Sequence, residues 1–207
     1  QRFRCSYHIL RSTAFLISTT FLTRTIKFYM KKAFFAIATI LILSSFAPPE
    51  WMQFRNIDGR FKVLIRGAMV EKMANIETDL GNIETHTFVY QPEEAEENLV
   101  YMIMYYDFPE GGMHSDSTEL VKEFFDSTVE EAVASVDGVL IYENEMEHQG
   151  YPARQWRINY LDNKAAIRTR AFIVRNRYYM LQTIALAEVD QNNVTEFYIN
   201  SFKLLGE

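Results

Sequence analysis

Cysteine is all but missing from this chain, whose single one is Cys5. Residues 6–207 can therefore form no disulfide, no cysteine-ligated zinc site and no thiolate nucleophile, and the body must be held together by its core. Acidic residues are missing from the first 47 positions, which hold seven basic ones: Arg2, Arg4, Arg11, Arg24, Lys27, Lys31 and Lys32. The remainder keeps 14 of the 21 basic residues against all 27 acidic ones, a balance of −13. A field of that sign argues against nucleic acid or anionic lipid as a partner. There is no Gly-rich phosphate loop and no Gly-x-Ser-x-Gly elbow. Internal repeats and low-complexity tracts are absent too. No catalytic constellation is visible in linear order, and no cofactor is expected.

What is present begins with an address. Met30-Lys31-Lys32 precedes the apolar run AFFAIATILIL, and Ser45 and Ala47 stand ahead of Pro48-Pro49. A positive start, an apolar stretch and small residues at −3 and −1 are the three parts of a secretory signal peptide, so residues 30–47 are expected to be one, cleaved near Ala47. The run falls short of the ~20 residues that span a bilayer, which makes an uncleaved membrane anchor the alternative. No cysteine follows it, so lipoprotein processing is excluded. Residues 1–29, which open on Gln1, are expected to be an upstream extension and not a domain. The mature protein is expected outside the cytoplasm, periplasmic or secreted, and not embedded in a membrane.

Residues 51–207 read as a single α+β domain. Trp51–Ile57 and Phe61–Ile65 flank Asp58-Gly59, a hairpin signal. Met69–Ile76 and Ile83–Tyr90 are two further strands around residues 79–82, followed by a solvated loop, Gln91–Asn98. Leu99–Asp107 is almost continuously apolar, so it is expected in mid-sheet, covered on both faces. After Pro109–Gly112, apolar residues at helical spacing from Leu120 to Val133 predict a long helix, with Ser115-Asp116 as its cap and Asp137-Gly138 as its end. Val139–Glu147 and Arg154–Tyr160 resume strand around a turn at Gly150–Pro152. Ala165–Val174 and Tyr178–Ala187 form the dominant hairpin, with Asn176 supplying the left-handed residue in its connector. Asn192 or Asn193 caps a short final helix, and Phe202–Leu205 closes the core. Mostly antiparallel sheet covered by two helices is the expected architecture.

The order and spacing of these elements resemble the PsbP-like fold, shared with a Ran-binding nuclear-import factor, and in particular its small exported bacterial members. The residues that carry the resemblance are Asp58–Val63, Gly150–Ala153 leading to Trp156, Asn176–Tyr179, and Phe197 through Ser201–Leu204. Where the family has a Pro after the first strand, Arg66-Gly67 stand here. The resemblance implies an α/β/α sandwich and a docking role in protein complexes, with no catalytic signature to carry over.

Two side-chain groups are candidates for chemistry. Arg168 and Arg170 share a strand face, with Arg157 near in sequence, in a body poor in basic residues. They are candidate ligands for a carboxylate or phosphate, or else partners for the abundant acids. His114 with Asp116 is a candidate metal pair, or else a helix-capping loop. Glu143, Glu145 and Glu147 alternate along one strand and read as a charged edge. The expected function is an exported, non-enzymatic docking domain for an envelope or secreted protein. The alternative is an extracytoplasmic ligand- or metal-binding protein using the Arg168/Arg170 face or the His114/Asp116 loop.

Overall fold

The computed structural model describes residues 50–78, 81–93 and 97–206. The chain divides into two units, 1–50 and 51–207, and the account below concerns the second. The expected upstream extension and the expected signal peptide lie outside the described residues, as do residues 79 and 80 of the turn expected at 79–82.

Ten strands and two helices follow in order: β1 (Met52–Asn56), β2 (Phe61–Ile65), β3 (Val70–Thr78), β4 (Gly81–Tyr90), β5 (Val100–Asp107), α1 (Thr118–Ser135), β6 (Val139–His148), β7 (Tyr151–Tyr160), β8 (Ala165–Val174), β9 (Arg177–Leu186), α2 (Asn193–Ser201) and β10 (Lys203–Leu204). Seven strands form one sheet in the order β3-β4-β5-β9-β8-β7-β6, and β1, β2 and β10 form a second, small one. All described strand pairs are antiparallel. Two meanders, β3–β5 and β6–β9, thus meet at the β5/β9 seam, and α1 carries the chain from mid-sheet to the far edge. This is the α+β class the sequence predicts.

One face of the large sheet receives α1. Val121, Phe125 and Val129 bury their side chains there against Trp156, Ile158, Ile167, Ala171, Ile173 and Tyr178. The opposite face receives α2 and the small sheet. Phe61, Val63 and Ile65 of β2 pack with Tyr198, Ile199 and Phe202 on Tyr101, Ile103, Phe172, Tyr179 and Leu181. Each such side chain contributes roughly 1.5–3 kcal/mol by leaving water. No helix among the described residues is long and apolar enough to cross a membrane.

Four details depart from the sequence reading, each for a local reason. β5 is interior but covered fully on one face only. Tyr101, Ile103 and Tyr105 are buried, whereas Met102, Met104 and Tyr106 remain half-buried because α1 lies over the other end of the sheet. The helix cap is Ser117, with no side-chain cap bond, and not Ser115-Asp116. Ser115 instead accepts a hydrogen bond from the Arg175 backbone, at 3.2 Å. In the β8–β9 turn the left-handed residue is Arg175 (φ 56°) and not Asn176, because a two-residue turn of this hand needs positive φ at its first position. Gly59 does not serve the β1–β2 loop through its dihedrals, since Arg60 (φ 53°) takes the left-handed place. Gly59 is there because a Cβ would lie 2.6 Å from the Phe61 ring and 2.7 Å from that of Tyr105.

The second cap is as expected: Asn192 accepts from the Thr195 backbone N–H at 2.7 Å. The acidic strand is the edge strand β6, where an irregularity at Ile141 shifts the register and sends Glu143 and Glu145 toward Arg154.

Candidate functional site

Turn chemistry gathers the polar residues at one end of the domain. The β8–β9 turn, Arg175-Asn176, is strapped to the loop ahead of α1. Phe108 donates its backbone N–H to Asn176 (2.8 Å), and Ser115 donates its own to Arg175 (2.7 Å). Next to the turn, Arg177 grips Asp107 through Nε and Nη2, both at 2.6 Å, and Nη1 donates to the Asp58 carbonyl at 2.6 Å. Its guanidinium lies 4.9 Å from the Tyr105 ring centre. The Tyr179 hydroxyl donates to the Gly59 carbonyl at 2.8 Å, so the small sheet is anchored to the large one at this end.

Three clefts open around this hub. The first, about 560 Å³, is lined by Arg60, Arg175 and Arg177, by Gln149 and Tyr151, and by the apolar Val174, Leu204 and Leu205. The second, about 360 Å³, joins Asp58, Glu84, His86 and Tyr105 to the Asp107–Arg177 pair. His86 stacks on Tyr105 with ring centres 4.6 Å apart, its two nitrogens 3.0 Å from Glu71 and 3.1 Å from Glu84. Burial pushes the Tyr105 phenol up to about 12 against the opposing pull of Arg177, so it stays protonated. The third, about 730 Å³, lies beside the Glu110–His114 loop and Leu120.

Arg157, Arg168 and Arg170 do come together, but beneath α2 and not in an open cleft. Arg168 is held by Glu196, by the Tyr142 hydroxyl at 3.2 Å and by the Asp190 carbonyl at 3.4 Å. Burial is the largest single influence and works to lower its pKa, but the hydrogen bonds and charges of Glu196 and Tyr142 together outweigh it, and the pKa is raised. Arg170 donates to Gln155 (2.7 and 3.0 Å) and to Asn200 (2.8 Å), and with no carboxylate bonded to it its pKa is lowered, by burial first. Arg157 Nε lies 2.8 Å from Asp190, a charge contact without an aligned hydrogen bond. A guanidinium held in this way crosslinks β7 and β8 to the α2 region.

His114 and Asp116 are also neighbours, Nδ1 to Oδ2 at 3.5 Å, both well exposed. Among the described residues no group of three or more His, Cys, Asp or Glu side chains is placed to hold a metal. Sequence reasoning passed over Asp107, Arg60 and the surroundings of His86. Only the strand pairing brings Asp107 opposite Arg177, 70 positions away, and no linear pattern signals it.

No protein-family model matches the chain, and no curated protein matches it. Among solved structures it is similar to the solution structure of cyanobacterial PsbP (CyanoP) from Synechocystis sp. PCC 6803. That similarity has a TM-score of 0.49 and 12% sequence identity, and covers 77% of this chain and 95% of that one.

Proposed function

We propose that residues 51–207 form an exported, non-enzymatic docking domain that receives an extended segment of an envelope or secreted protein along β3. The supporting observation is the state of that edge. Among the described residues β3 ends the large sheet, and over its nine residues its only strand neighbour there is β4. Val70 is 60% exposed, Met73 58% and Ile76 48%. A long edge with apolar side chains and no proline is a template for an added strand, through main-chain hydrogen bonds and alternate side chains. The opposite edge makes the contrast. β6 also exposes Val139, Leu140 and Ile141, yet it is interrupted at Ile141 and charged by Glu143, Glu145 and Glu147. β3 carries Glu71, Lys72 and Glu77 as well, but among the described residues its pairing with β4 runs unbroken, whereas β6 is interrupted.

Site-resolved crosslinking in a gram-negative host tests this reading. A photoreactive residue in place of Met73 should capture a discrete protein, whereas one in place of Glu145 should not. A domain that stays a lone monomer with no crosslink from β3 overturns it. Export is checked in the same cells by intact mass. A soluble envelope or secreted species beginning at Pro48 supports it, and an uncleaved membrane-held species refutes it.

A further inference from the structure

β3 pairs with β4 residue for residue, so its side chains alternate strictly between the two faces of the sheet. Glu71, Met73, Asn75 and Glu77 share the face of His86, which stacks on Tyr105, and Val70, Lys72, Ala74 and Ile76 take the other. Residues 70–77 are all exposed.

That alternation limits how the edge can pair with itself. Two copies forming one continuous antiparallel sheet are related by a two-fold axis that passes through a residue, because only then do opposed side chains lie on the same face. An axis through Met73 sets Met73 against Met73, Val70 against Ile76, Glu71 against Asn75 and Lys72 against Ala74. Each large apolar residue of the strand then meets another, and no charge directly opposes its like. Lys72 meets Lys72, and Glu71 meets Glu77, only on the diagonal, about 7–8 Å apart, where water screens them.

The neighbouring axes fail. One through Glu71 or Lys72 opposes two like charges at its centre, and one through Ala74 sets Glu71 against Glu77. One through Asn75 sets Met73 against Glu77 and carries Val70 past the end of the strand. Pairing β3 with β6 brings Glu143, Glu145 and Glu147 to a strand that already carries Glu71 and Glu77, and β6 is interrupted at Ile141.

We propose that the segment received by β3 is β3 of a second copy, paired antiparallel about Met73 so that two seven-stranded sheets join into one. This rests on the reading of β3 as a receiving edge and names its occupant. Nine residues of edge make a small interface, so half-dimerisation is expected at roughly 10–100 µM.

Sedimentation velocity of the full 207-residue chain carrying Cys5→Ser tests the assignment. It should show a monomer–dimer equilibrium that added salt tightens, since copies of like net charge repel. Ile76→Lys should weaken the dimer by about tenfold or more and leave the thermal midpoint unchanged, because Ile76 is exposed. Under mild oxidation Met73→Cys in this background should give a covalent dimer, directly opposed residues being within disulfide reach. Asn75→Cys should give little, since its counterpart lies four residues along, about 13 Å away. Equal yields from the two would overturn the register, and with it the proposal. So would a dimer that Ile76→Lys leaves intact, or association that salt weakens, which would be the basic first 47 positions meeting acidic bodies. A chain monomeric up to about 300 µM overturns the self-pairing. If a photoreactive residue at Met73 then still captures another protein, the docking reading survives; if it captures nothing, both fall.

Discussion

Arg177 and Asp107 are directly opposed across the β5/β9 seam, and the guanidinium closes both of its parallel bonds on the carboxylate at 2.6 Å. Its third nitrogen reaches the Asp58 carbonyl, so one side chain ties the seam of the large sheet to the β1–β2 loop. The Asp107 hydrogen bond is the main cause that raises the Arg177 pKa further. Lysine keeps the charge but loses the fork. Arg177→Lys is expected to cost about 1 kcal/mol, discounted because the Asp107 side chain is half exposed. Amide exchange at Asp58–Arg60 should speed up in the variant beyond what global stability explains. Unchanged protection there would show that the loop does not depend on Arg177.

Arg157 and Asp190 are a buried pair, with the aspartate only 2% exposed. Asp190→Ala strands a guanidinium and is expected to cost about 3–5 kcal/mol in urea unfolding. The double variant Arg157→Met/Asp190→Leu should recover most of that loss, since no charge is left uncompensated. A double variant no more stable than the single one would mean that the arginine contributes through its other contacts.

His148 makes stability depend on pH. Its ring stacks on Phe172 with centres 4.3 Å apart, and its pKa is lowered to about 4 by burial first, then by the charges of Arg170 and Lys203. The unfolded chain takes up this proton near the ordinary 6.5 and the folded one only near 4. Below pH 6.5 protonation therefore favours unfolding. The stability of the neutral form declines progressively between about 6.5 and about 4, by roughly 1–2 kcal/mol once residual solvent contact is allowed for. His148→Phe should flatten this part of the urea-midpoint curve. An equal slope in wild type and variant would assign it to other groups.

Gly59 has no room for a methyl group. A Cβ would stand 2.6 Å from the Phe61 ring, 2.7 Å from that of Tyr105 and 2.8 Å from Asn56 Oδ1. Gly59→Ala is expected to cost about 1–3 kcal/mol through overpacking at the hub that carries the clefts. Gly67→Ala, where an added Cβ would run into the edge of the Tyr90 ring, tests whether a half-buried ring relieves the same kind of contact by moving. Equal losses at the two sites would mean that half-buried Tyr90 is as fixed as buried Phe61.

Periodicity made most elements legible before the structure. Trp156 and Ile158 alternate on one face because a strand points successive side chains apart, and Val121, Phe125 and Val129 recur because a helix returns to the same face every four residues or so. Asn192 could be read as a cap because the bond it makes is three residues away. The Ser115-Asp116 cap failed for the converse reason: Ser115 found a partner in Arg175, 60 positions off, and the helix started later. The candidate arginines were visible as types. Whether they faced solvent or α2 depended on where α2 docked.

Local chemistry in the chain therefore specified the strands, the helices, the acidity of the body and the lack of acidic residues in its first 47 positions, since each is a matter of neighbouring residues. Three things came from long-range pairing alone: the separate β1-β2-β10 sheet, the β5/β9 seam that sets Asp107 against Arg177, and the meeting of Arg60, Gln149 and Arg175 around one cleft. Hydrogen-bond registers between distant strands are fixed by which apolar faces bury together, and that choice is made by the whole core at once.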